Sequence, residues 1–215
     1  MTPKKECAPR RPRGRPPSFD RDIALSQAMT LFWDRGYEGT SFDDLIGVMG
    51  ISASSFYNSF ASKEALYVEA IEAYARRESA WFTQALGSDG GVALAFRTML
   101  DAAALAFTRC DAPSGCMIAV AATQCSPAQA RLRQMVIDQR HAAEALMEAR
   151  LAQAAATGEL SENVDCAALA AYFSAVINGM GVQARDGASR DRLLQIGALA
   201  VSVLGGNALS GQLSS

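Results

Sequence analysis

The side chains of this 215-residue chain that could do chemistry fall into three groups. Ser54, Ser55 and Asn58 stand at i, i+1 and i+4, with Ala53 before them and Tyr57 between. On a helix they form a short, polar, uncharged face. Such a face enters a DNA major groove without an electrostatic penalty and hydrogen-bonds base edges. Upstream, Pro12-Arg13-Gly14-Arg15-Pro16 combines prolines that hold the chain extended, a glycine that lets the backbone sit deep, and two arginines. That chemistry suits the narrow, strongly negative minor groove of A·T tracts. A basic arm that only touches phosphates is the alternative. Third, Cys110, Cys116 and Cys125 surround a short uncharged segment. Cys116 follows a candidate cap, Ser114, so a helix N-terminus there is expected to lower its thiol pKa. Arg109 is expected to act similarly on Cys110. A thiol so activated would sense an oxidant or electrophile; the alternative is three small apolar core residues. No constellation for catalysis is present. His141 is the sole histidine, and there is no Cys-x-x-Cys, P-loop or dinucleotide fingerprint. We expect no enzyme activity, no metal and no cofactor.

Helices must position these groups. Alanine fills 41 positions and β-branched residues are sparse, a helix-former's composition. Five of the seven prolines lie in the first 17 residues, and none falls between Ser18 and Ala112. Apolar stripes at helical spacing recur along the chain. Ala24, Leu25, Ala28, Leu31 and Phe32 precede a stop at Gly36. Phe42, Leu45, Ile46 and Met49 follow a capping Ser41 answered by Asp44. Further stripes start after Ser52 and Ser62, and others run through Phe96–Phe107, Leu132–Met147, Leu169–Met180 and Leu193–Val203. Cys116 to Gln124 carries no charge and reads as a short helix buried on all sides. The expected fold class is all-α, with about nine helices and no strand. The second helix, the turn Gly50-Ile51-Ser52 and the third helix form a helix-turn-helix pattern.

Charge is distributed unevenly. Residues 1–21 carry a net +5, which leaves −7 for the remainder of a chain whose formal charge is −2. A basic arm on an acidic body points to a polyanion partner. The longest apolar run is eight residues, far below the ~20 that a membrane span needs, so no membrane partner is expected. The basic, proline-rich start has no apolar stretch behind it, so no secretory leader is read. The expected place is the cytoplasm, on the nucleoid.

From Gly14 to Arg77 the chain resembles the DNA-binding domain of the TetR family of bacterial transcriptional regulators. The resemblance rests on Ala28, Leu31, Phe32, Gly36, Tyr37, Thr40-Ser41, Leu45-Ile46 and, above all, on Gly-Ile-Ser-x-x-Ser-Phe-Tyr-x-x-Phe-x-Ser-Lys-Glu-x-Leu over residues 50–66. It implies phosphate contacts at Tyr57, Lys63 and Ser41, and base contacts at Ala53, Ser54, Ser55 and Asn58. Ala53 departs from the long polar residue common there and limits that position to apolar contact. The implied organisation is a basic arm with an AT-hook-like core (1–17), a helix-turn-helix domain (18–65) and a helical effector-binding and dimerisation domain (66–208). The large, soft residues Trp81, Phe82, Phe96, Met99, Phe107, Met117 and Phe173 are candidates for an effector pocket. The last two helices, mixing small residues with large ones, are candidates for a homodimer interface. The expected function is a repressor that binds a palindromic operator and is released by a small molecule. An architectural protein that coats A·T-rich DNA is the alternative.

Overall fold

The computed structural model describes residues 20–121 and 129–205. Arg13, Arg15 and Cys125 therefore lie outside the described residues. Within them there are nine helices and no strand: α1 (Arg21–Arg35), α2 (Phe42–Met49), α3 (Ala53–Phe60), α4 (Lys63–Leu86), α5 (Val92–Phe107), α6 (Met117–Ala121), α7 (Ala130–Ala156), α8 (Cys166–Arg185) and α9 (Arg190–Gly205).

Local chemistry sets most helix starts. Asp20, Ser41, Ser52, Ser62 and Asp165 each accept a backbone N–H from the first turn of the following helix. At α2 the cap is reciprocal. Ser41 Oγ accepts Asp44 N–H at 3.0 Å, and the Asp44 carboxylate accepts Ser41 N–H at 3.0 Å. Gly50 ends α2 in the left-handed region (φ 63°). The turn from α3 to α4 is less comfortable. Ala61 has φ 59° and ψ −50°, and Ser62 N–H donates to Phe60 O at 2.6 Å, the geometry of a strained γ-turn.

Two apolar cores result. The first gathers α1, α2, α3 and the first half of α4 around Phe32, Leu45, Phe56, Phe60, Tyr67 and Tyr74. The second packs the end of α4 with α5, α7, α8 and α9 around Phe96, Met99, Leu100, Phe173 and Leu193. A domain boundary at residue 65 leaves only the first three residues of α4 in the first domain and assigns the rest to the second. This 24-residue helix instead serves both cores, changing partners between Tyr74 and Phe82. Met117 and Ala121 of α6, with Leu132 and Val136 of α7, join the first core from the far side of the sequence. The described part of α6 buries Met117, Ala119 and Ala121, whereas Ile118 and Val120 are only half-buried. Burial on all sides is therefore not what this segment shows. Of the described helices, α8 is long and apolar enough to cross a membrane, with a mean hydropathy of 1.3. It packs one face against α5, α7 and α9 and leaves the opposite face, with Tyr172 and Val182, exposed.

Candidate nucleic-acid interface and the cavity behind it

The outer face of α3 is built from its inner face. Phe56 and Phe60 are buried, and Phe42 of α2 meets Phe56 edge-on at 4.9 Å, fixing how α3 sits on α2. Ala53, Ser54, Tyr57 and Asn58 are then left exposed, with Ser55 half-buried. Ser52 Oγ accepts Ser55 N–H at 3.2 Å and shares hydrogen bonds of 3.0 Å with the hydroxyls of both Ser54 and Ser55. The two hydroxyls are thus oriented before any partner arrives. The Tyr57 ring stacks on Phe42 (5.3 Å, 19°) while the residue stays 58% exposed.

The two flanking phosphate candidates are differently placed. Lys63 opens α4, with Nζ 4.3 Å above the Tyr37 ring. Burial pulls its pKa down, and the nearby Glu38 carboxylate partly restores it. The Ser41 hydroxyl is already engaged, donating to Asp44 Oδ2 at 2.6 Å. That bond, with the Ser41 N–H and the Arg35 guanidinium 3.3 Å from Asp44, holds the Asp44 carboxyl below its ordinary range. A phosphate at Ser41 would share the hydroxyl with Asp44. Sequence reasoning missed Arg21. It pairs with Glu69 at 2.7 Å, donates to Ser59 O at 3.2 Å and lies 4.5 Å over Phe60, tying α1 and α4 to the end of α3. Its only sequence signal was a charge at the first position of a helix.

Behind this head lies a cavity of about 190 Å³ between α4, α6, α7 and α8 and the end of α5. Trp81, Phe82 and Phe107 line it, as the sequence suggested. Phe96, Met99, Met117 and Phe173 do not. Each is at most 1% exposed and is consumed by core packing. Tyr74, Glu78, Arg140, Met147 and Asn178, which the sequence did not mark, and Cys116, which it marked as a thiol sensor, also line the wall. Most of these are polar or charged residues on helices otherwise read as apolar stripes.

Comparison with known proteins agrees with this arrangement. Residues 24–70 match the profile "Bacterial regulatory proteins, tetR family", and residues 95–196 match "Tetracyclin repressor-like, C-terminal domain". The HTH-type transcriptional repressor ComR of Escherichia coli (strain K12) is 35% identical over 91% of this chain and 93% of its own. The chain belongs to the TetR family of transcriptional regulators. The uncharacterized HTH-type regulator YezE of Bacillus subtilis (strain 168) is 29% identical over 89% of this chain and 99% of its own. Among solved structures, a cysteine mutant of the TetR-family regulator CifR bound to 26-bp operator DNA superimposes with a TM-score of 0.84. It shares 33% identity over 88% of this chain and 98% of its own.

In this TetR-family regulator burial, and not the helix start, sets the Cys116 thiol. Cys116 sits just before α6, and the Ile118 and Ala119 amides do reach its sulfur. Burial outweighs them and pushes the thiol above its ordinary value. The hydroxyl of Tyr74 is its hydrogen-bonding neighbour, and burial also holds that phenol well above its usual range. Cys110 is exposed. Arg109 pairs with Glu78 (3.3 Å) and Asp111 (3.7 Å).

Glu78 is the polar hub between cavity and head. Its carboxylate accepts Arg77 Nε–H at 3.0 Å, an Arg109 N–H at 3.3 Å and Trp81 Nε1–H at 2.6 Å. The same two guanidinium groups lie over Trp33 of α1, Arg77 at 5.6 Å and Arg109 at 5.3 Å. Tyr74 meets that indole edge-on at 5.0 Å. From α8, Arg185 donates to Asp34 O at the end of α1 and to Ser114 O at 3.4 Å. The cavity wall and the first helix of the head therefore share side chains.

Proposed function

We propose that this DNA-binding regulator is a homodimeric repressor, displaced from a pseudo-palindromic operator when a small molecule fills the cavity. The observation that carries the reading is the double use of α6. Cys116 and Ile118, at its start, wall the cavity, while Met117 and Ala121 pack into the core of the head. Anything that moves this short helix acts on both. Each α3 would enter a major groove. Ser54, Ser55 and Asn58 would read bases, Ala53 would offer apolar contact, and Tyr57, Lys63 and Ser41 would hold phosphates. Arg13 and Arg15 of the arm would add affinity that falls with salt. Such a protein works in the cytoplasm, where its DNA is.

The dimer reading draws on the outer faces of α8 and α9, where Tyr172 (38%), Val182 (42%) and Leu199 (73%) are exposed. Small residues there divide into two kinds. A Cβ on Gly181 would meet Cys116 Cβ at 2.9 Å, and one on Gly197 would meet Leu100 Cβ at 3.1 Å, so both serve packing inside the protomer. Ala200 is buried in the same way. A Cβ on Gly179 meets nothing within 4 Å.

Footprinting of the purified chain on the DNA upstream of its own gene tests the reading. One protected pseudo-palindrome, with raised transcription when the gene is deleted, supports it. Diffuse protection of A·T-rich DNA would favour an architectural protein instead. Gly179→Arg should sediment as a folded monomer and lose most operator affinity, because one protomer spans only a half-site. A Gly179→Arg protein that stays dimeric would move the interface elsewhere.

A further inference from the structure

We infer that the cavity takes an uncharged aromatic molecule: one ring with one or two small polar substituents. The inference rests on the reading of this cavity as the effector site, and it concerns the chemistry of the occupant. Size sets the first limit. An apolar cavity of ~150 Å³ accepts benzene, so the ~190 Å³ here holds a ring and a short substituent. The walls set the second. Tyr74, Trp81, Phe82 and Phe107 supply aromatic surface, with Trp81 standing roughly perpendicular to Phe82 (74°) and to Phe107 (82°). Edges and faces are both offered to a guest ring. Met147 adds a thioether, which suits an aromatic neighbour.

Charge sets the third limit and decides the class. Two ionised side chains line the cavity, Glu78 and Arg140. Glu78 is met by Arg77, Arg109 and the Trp81 N–H. Arg140 donates to Ile118 O at 2.9 and 3.2 Å and to Ala119 O at 2.6 Å. Both charges are thus bound to protein groups that face them. A cation entering would lose its water and find Glu78 already paired with two guanidinium groups; an anion would lose its water and find the Arg140 Nε and Nη2 donors already spent on the α6 carbonyls. A neutral guest pays no such cost. The Gln139 and Asn178 amides in the lining can take one hydroxyl or carbonyl of the guest.

The experiment compares three probes of one shape at pH 7: benzyl alcohol, benzoate and benzylamine, which is cationic there. Binding to the full chain is measured by titration calorimetry, and release by the anisotropy of labelled operator DNA. Benzyl alcohol should bind at least tenfold more tightly than either ion and should release the operator over the same concentrations. Ala143→Leu, which fills part of the cavity, should weaken benzyl alcohol binding at least tenfold, with an unchanged helical spectrum showing that it folds. If that variant fails to fold, Trp81→Leu replaces it, with the same loss expected. Tighter binding of benzylamine would make Glu78 a counter-ion and overturn the inference, as would tighter binding of benzoate for Arg140. No binding of any probe by a chain that still binds its operator would also overturn it, and would leave the repressor reading intact. Failure to bind any operator would count against that reading instead, while calorimetry still decides the ligand class.

Discussion

Replacing Glu78 by Gln removes one negative charge and leaves the shape of the side chain. Glu78 is 9% exposed and accepts from three donors. Stripping the partner from a fully buried ion pair costs about 3–5 kcal/mol. Here the arginines are only partly enclosed, with Arg77 43% and Arg109 28% exposed, so solvent offsets much of that cost. The glutamine oxygen still accepts one of the three donors. We expect a loss of about 2 kcal/mol, or roughly 4–8 °C in Tm for a chain of this size. The two guanidinium groups also lose the anion that holds them over Trp33, so the first helix of the head should loosen. Operator affinity should fall several-fold although no residue of α3 has changed. Thermal melts with operator titrations measure both effects, and Glu78→Asp, which keeps the charge, should recover part of each. A Glu78→Gln chain with unchanged Tm and unchanged operator affinity would refute the coupling of cavity wall and head through this carboxylate.

Other outcomes follow from particular side chains. Ser55→Ala and Asn58→Ala should relax operator sequence preference, at about 1–3 kcal/mol for each lost base contact, while Tyr57→Phe and Lys63→Ala weaken binding to all sequences alike; competition footprinting on randomised sites separates the two effects. Ala61→Gly should raise stability by about 1 kcal/mol, because glycine adopts φ 59° without the steric strain on a Cβ, and a denaturant melt reads it. Iodoacetamide at pH 7 should modify the exposed Cys110 well before Cys116. The raised pKa of Cys116 keeps little of it as thiolate at that pH, and its rate should go on rising with pH beyond 9.0, where an ordinary thiol levels off; peptide mapping checks the order.

Much of the reading head was legible in the sequence because its determinants are local. Ser41 answered by Asp44, Gly50 after Met49, and Ser52 and Ser62 before their helices act through hydrogen bonds spanning three or four residues. The alternation of Phe56 and Phe60 with Tyr57 and Asn58 is read directly from helical period. The cavity was legible only in part. Aromatic size marked Trp81, Phe82 and Phe107, but it marked Phe96 and Phe173 equally, and those two meet at a tilt, 4.4 Å apart, inside the core. Nothing local distinguishes a wall from a core, since the difference is whether a helix remote in sequence fills the space opposite. The same holds for Cys116. Its place at a helix start is local and lowers the thiol pKa. Its burial is made by distant elements, among them Tyr74 of α4 and Gly181 of α8, and burial wins. The sequence by itself determined the nine helices of the described residues and the exposed polar face of α3, because caps and helical periods are written within a few residues. Only the tertiary structure decided that Glu78, Arg77 and Arg109 meet around Trp33, because their partners lie up to 76 residues apart and are joined by packing alone.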